Sequence, residues 1–131
     1  MAEIDWTYDE ERRLFHVRYI GRVGLDQFMR AREIRRTLGV AYGTVRMLID
    51  ARDADLSDLT ADDFKALEAQ RGGEFSGRAE RTAGLVGRET DVGIADLWAV
   101  YRNRSVPGST AIFMSEREAI AWLFSDEAAD G

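Results

Sequence analysis

Residues 45–58, reading VRMLIDARDADLSD, hold the densest cluster of groups able to do chemistry: Asp50, Asp53, Asp55, Ser57 and Asp58. So many carboxylate oxygens could hold a divalent cation. Their spacing, however, is not that of an EF-hand, and the glycine of its tight turn is missing. Acids ahead of a helix are ordinary complements to its N-terminal dipole, so no metal ligand is expected. His16 is the single histidine. No serine stands in a recognisable nucleophile context beside it, and it reads as solvated or structural rather than catalytic. There is no cysteine, which removes disulfides, thiolate catalysis and cysteine-based metal sites. Lys65 is the only lysine, and neither Gly72-Gly73 nor Gly84…Gly87 belongs to a phosphate-binding loop. No catalytic, cofactor-binding or metal-binding residue is therefore expected.

Two further sets of residues carry recognition chemistry. Arg30, Arg32, Arg35 and Arg36 crowd one helical segment. They read as a solvated face pairing with Asp26 or Glu33. Arg32 and Arg35 nevertheless fall within the apolar arc of Phe28, Met29 and Ala31, where their stems lie over apolar surface or meet a partner's carboxylates. Trp98, Tyr101, Trp122 and Phe124 recur at helical spacing. Such aromatics belong mostly to a core, and any left exposed would be an interface anchor.

The elements that must position these residues follow from periodicity. Ile4 to Tyr8 alternates, Asp9 to Arg13 turns, and Leu14 to Ile20, ending at Gly21, is aromatic and β-branched: a hairpin. Leu25, Phe28, Met29, Ile34 and Leu38 predict a helix that Gly39 stops. Val45 to Ala51 reads as a buried strand, with a polar loop following Asp50. Thr60-Ala61-Asp62-Asp63 opens a helix running to about Arg71, with Thr60 as N-cap. Gly72 to Gly77 is a loop, and Thr82 to Val86 a short buried strand. Asp91 to Asn103 is a helix with Ile94, Leu97, Trp98 and Tyr101 on one face. Pro107-Gly108 turns into the strand Thr110 to Phe113. Ser115 and Glu118 form a capping box that opens the last helix. The order β-β-α-β-α-β-α-β-α predicts an α/β fold: a mixed sheet of about five strands, an antiparallel hairpin followed by βαβ units, with four helices. A single domain spans 1–125, and 126–131 is an acidic tail.

The chain has 131 residues and a net charge of -6, enough for one real core and unfavourable for phosphate backbones. No nucleic-acid partner is expected. The acidic start has no signal-peptide pattern and no apolar run spans a bilayer, so a cytoplasmic protein is expected.

The hairpin with Gly21, the strand end Leu48-Ile49-Asp50 and the terminal Ile112-Phe113…Glu118-Ala119…Trp122-Leu123 together resemble the STAS-like family, the bacterial anti-sigma-factor-antagonist (SpoIIAA-like) domains. The likeness covers nearly the whole chain. It looks closest to stand-alone bacterial members. In the family's regulatory members the strand ends in Asp-Ser-Ser-Gly, and a kinase-like anti-sigma factor phosphorylates one serine. Matching that motif places Asp50 on its Asp, Ala51 and Arg52 on the serines and Asp53 on the Gly. No hydroxyl stands at either serine position, so the phosphoswitch is not carried over. Ser57 lies in the same loop but off the motif.

The resemblance implies a non-enzymatic domain acting by protein–protein association, including a homodimer. Its interaction edge would be Asp50, Arg52, Asp53, Ser57 and Asp58 with the helix starting near Thr60. The alternative it implies is a module for a small apolar molecule or lipid, of CRAL-TRIO type, with a pocket between helices and sheet. A hydrolase using Asp50 or His16 ranks last, since neither has a visible acid–base partner.

Overall fold

The computed structural model describes residues 3–43, 46–69 and 81–125. The loop at Gly72–Gly77, the end of the second helix near Arg71 and the acidic tail lie outside the described residues. The order is β1 (Glu3–Asp9), β2 (Leu14–Arg22), α1 (Leu25–Tyr42), β3 (Arg46–Asp55), α2 (Ala61–Ala69), β4 (Thr82–Leu85), α3 (Glu89–Ser105), β5 (Thr110–Phe113) and α4 (Glu116–Leu123). The strands form one sheet in the order β1-β2-β3-β4-β5. β1 runs antiparallel to β2, and all later neighbours are parallel. This is the expected mixed α/β sheet.

Each crossover adds the next strand on the same side, so right-handed connections place α1, α2 and α3 on one face of the sheet. The packing agrees. Phe15, Val17, Ile49, Ala31, Phe64, Leu67 and Trp98 share one core. α4 follows the last strand and is no crossover, so it can cover the opposite face. Its Ala119 and Leu123 pack with Leu14, Leu48, Ala83 and Leu85. The alternation of β2 is as expected: Phe15, Val17 and Tyr19 have no exposure, while His16 and Arg18 lie on the α4 side.

Three boundaries differ from expectation. α1 runs through Gly39 to Tyr42 and stops at Gly43, whose φ of 86° provides the left-handed turn, with its N–H donating to the Gly39 carbonyl (2.8 Å). A glycine inside a helix costs only about 1 kcal/mol, which packing overrides. β3 does not end at Ala51 but continues to Asp55, pairing Ile20, Gly21 and Arg22 with Asp53, Ala54 and Asp55. Between Arg18↔Asp50 and Ile20↔Asp53 the register shifts, as one extra residue on β3 requires: a β-bulge at Ala51-Arg52. The bulge keeps Ala51, Ala54 and Leu56 in the core while the charges face out. α3 runs from Glu89 to Ser105, slightly longer than its apolar stripe.

The arginine-rich helix divides. Arg36 pairs with Glu33 at 2.7 Å, as a solvated face should. Arg35 is buried and donates to the Thr82 hydroxyl at 2.7 Å. Arg32 donates to the Leu67 carbonyl at 2.7 Å, capping the C-terminal end of α2. These two arginines hold the molecule together rather than meeting a partner. The aromatics are likewise internal anchors. Trp98 is buried against Phe28, with ring centres 5.9 Å apart, and Trp122 packs on Phe113 at 5.8 Å. Phe124 lies between the guanidiniums of Arg12 and Arg46, each 4.9 Å from the ring centre.

The apolar cavity lined by Tyr19, Phe28, Ile49, Phe64, Ile94 and Trp98 has a volume of about 30 Å³. That is room for one or two waters, against about 300 Å³ for the smallest usual ligand pockets. Among the described residues no helix is long and apolar enough to cross a membrane.

Candidate functional site

α4 packs over β3, β4 and β5. α4 reaches β2 only at Leu14, and among the described residues no helix covers the rest of the β1–β2 part of that face, which is polar. Asp5 on β1, Arg18 on β2 and Asp50 on β3 stand side by side in register, and Thr7 and His16 form the next row. With Arg52 and Glu116 they line an open groove of about 170 Å³.

Two ion-pair straps cross this groove. In the first, Asp50 is buried at the end of the apolar run and Arg52 folds back over it. The Arg52 backbone N–H and Nε donate to one carboxylate oxygen at 3.1 and 3.0 Å, and its Nη2 donates to the other at 2.8 Å. The bulge makes this return possible, since it turns residue 52 onto the same side as residue 50. Arg52 Nη2 also reaches Glu116 in the first turn of α4 at 3.0 Å, tying that helix to β3. Burial opposes ionisation of Asp50, but the Arg52 hydrogen bonds outweigh it and hold the carboxyl below the ordinary carboxylate range. The same contacts raise the Arg52 guanidinium further above its already high value. In the second strap Arg18 bridges to Asp53, with Nε donating at 3.0 Å.

The expected edge thus divides in two. Asp50, Arg52 and Asp53 meet on the open face. Ser57 and Asp58 lie beyond β3, in the turn before α2. There the Ser57 hydroxyl and N–H donate to Asp55 at 2.6 and 3.0 Å, lowering that carboxyl's pKa. Arg22 reaches Asp58 at 3.2 Å. A phosphate on Ser57 would stand against Asp55 and Asp58, which is unfavourable. Thr60 caps α2 as expected: the Asp63 N–H donates to its hydroxyl at 3.3 Å, and Asp63 accepts from the Thr60 N–H at 2.9 Å. At α4 the Ser115 hydroxyl accepts from the Glu118 N–H at 3.3 Å. Among the described residues, however, no bond returns from the Glu118 carboxylate, and the acid that does work nearby is Glu116 with Arg52.

Asp5, Thr7, Arg18 and Glu116 join the site without a local sequence signal. They come from three elements: strand register brings Asp5, Thr7 and Arg18 together, and the packing of α4 adds Glu116. His16 does carry one, since the β2 alternation sets it beside Arg18. Among the described residues no group of three His, Asp or Glu side chains has metal-holding geometry.

A fold with this sheet order and this helix placement is SpoIIAA-like. The crystal structure of an uncharacterised protein of the DUF3478 family with a SpoIIAA-like fold, from Shewanella loihica, superposes with a TM-score of 0.58, at 21% identity, over 93% of each chain. No family model and no curated protein matches the chain. The likeness establishes the expected STAS-like fold over nearly the whole chain.

Proposed function

We propose that this domain works by protein–protein association through the open half of its sheet, without catalysis. The observation that carries the reading is the groove at the β1–β2 end of the sheet, where charged side chains from four elements are held by two ion-pair straps and no helix among the described residues lies over them. Its straps fix the side chains of Arg18, Arg52, Asp50 and Asp53 in place, so a partner meets a preorganised surface and the ordering cost is reduced. Thr7 and His16 stand opposite each other in the groove, but among the described residues no hydrogen bond joins them, and the groove is open to water. The SpoIIAA-like fold supports the reading at the level of architecture. The missing serines at Ala51 and Arg52 argue against control by phosphorylation at the family's site.

The test is capture from the native cell together with light scattering of the pure protein, using wild type, Arg18→Glu on the open face and Val100→Arg on the far side of α3. Wild type and Val100→Arg should retain the same stoichiometric protein or second copy, and folded Arg18→Glu should lose it. A strict monomer retaining no protein, or equal retention by Arg18→Glu, would contradict the proposal.

A further inference from the structure

We infer that β1 is a docking edge for an extended basic segment of another protein, which would add to the sheet as a sixth strand. β1 is one edge of the sheet and runs without interruption from Glu3 to Asp9. Exposed edges are normally blunted by lysine, proline, a bulge or a very short strand. β1 has none of the first three within it and pairs with β2 over its full seven residues. Among the described residues its protection is acidic: Glu3, Asp5 and Asp9 are all exposed.

Among the described residues these acids make no direct ion pair, although Arg18 acts on Asp5 through space. Arg18 stands directly across from Asp5, yet its guanidinium bridges to Asp53 instead. Asp9 accepts only the Arg12 backbone N–H, at 3.1 Å. On the opposite face Trp6 is 41% exposed, braced edge-on against Phe15 with ring centres 5.6 Å apart. The edge therefore presents backbone groups with no strand partner among the described residues, carboxylates on one face and an indole on the other.

That pattern selects the occupant. A second copy does not fit. Antiparallel self-pairing centred on Trp6 sets Glu3 opposite Asp9 at both ends, and pairing centred on Asp5 sets that acid against itself, both unfavourable. A segment alternating Lys or Arg with apolar residues fits both faces. Its cations lie over Glu3, Asp5 and Asp9, its apolar side chains lie over Trp6, and its backbone completes the ladder. One cation would enter the mouth of the groove beside Asp5.

The inference rests on the association proposed above, and its test separates the two. The probe is an eight-residue alternating Lys–Val peptide, with a second version N-methylated at every backbone nitrogen, which keeps the side-chain charge but has no donor left on either edge to extend a ladder. The unmodified peptide should shift amide resonances of β1 first and bind at least ten-fold more tightly than the methylated one. Asp5→Lys/Asp9→Lys should abolish the difference, while Asp5→Asn/Asp9→Asn should weaken binding without unfolding. Equal binding of both peptides, or shifts centred away from β1, would overturn the inference. So would a native partner retained undiminished by Asp5→Lys/Asp9→Lys, an outcome that leaves the association itself standing.

Discussion

Asp50 shows how a single burial decision shapes this site. A carboxylate at the end of a buried strand needs compensation, and Arg52 supplies three hydrogen bonds to it. Removing them in Arg52→Ala should cost about 1–3 kcal/mol at neutral pH. The sign of the pH dependence is fixed by the direction of the shift. With Arg52 the folded carboxyl titrates below the unfolded one, so its stabilisation is present above about pH 4 and lost as pH falls through the folded pKa. Without Arg52, burial is the largest single influence and pushes the folded pKa up against a smaller through-space effect of His16. The deficit of Arg52→Ala should therefore shrink on acidification, as urea unfolding near pH 7 and pH 4 would show; a deficit independent of pH would mean Arg52 acts through packing. Tyr19 is the opposite case. Its hydroxyl is fully buried with no hydrogen-bond partner among the described residues, and burial pushes its pKa up. Tyr19→Phe should be neutral or stabilise by up to about 1 kcal/mol, since an unsatisfied group is removed at nearly constant volume. A clear loss of stability in the same urea titration would show that the hydroxyl has found a partner, such as an internal water.

Helix and strand ends are where local sequence and tertiary structure compete, and two glycines of α1 separate the contributions. Gly39 has open space where a side chain would begin, and it lies inside the helix. Gly39→Ala should stabilise by roughly 0.5–1 kcal/mol. Gly43 has φ 86°, so Gly43→Ala should destabilise by roughly 1 kcal/mol. Thermal melts of the two variants should move in opposite directions; movement the same way would show the helix stop misplaced. The same competition explains what could be read beforehand. The hairpin, the three βαβ units and the caps at Thr60 and Ser115 were legible, because period, turn residues and capping are local signals. The stop at Gly39 was not, since nothing in that residue distinguishes a tolerated interior glycine from a terminating one. The end of β3 was illegible for a related reason. Asp53 and Asp55 resemble a loop by composition, and only pairing with Ile20 and Arg22 across a bulge makes them strand.

For the whole molecule, the decisive fact is an imbalance of cover. Three crossover helices cover one face of the sheet, and α4 covers only part of the other. The groove there gathers Asp5, Arg18, Asp50, Arg52 and Glu116 from four elements, which is why the sequence showed only His16 and the Asp50–Asp53 segment of the site. Arg35, which could have met a partner's carboxylates, is spent on internal packing instead, and Trp98 is core as expected. Association through the uncovered face is the central claim, and position-specific crosslinking in the native cell tests it most directly. A photoreactive amino acid at position 7, on that face, should yield one discrete protein adduct, and the same group at position 100, on the outer side of α3, should yield none. No adduct at position 7, or the same adducts at both positions, would contradict the account.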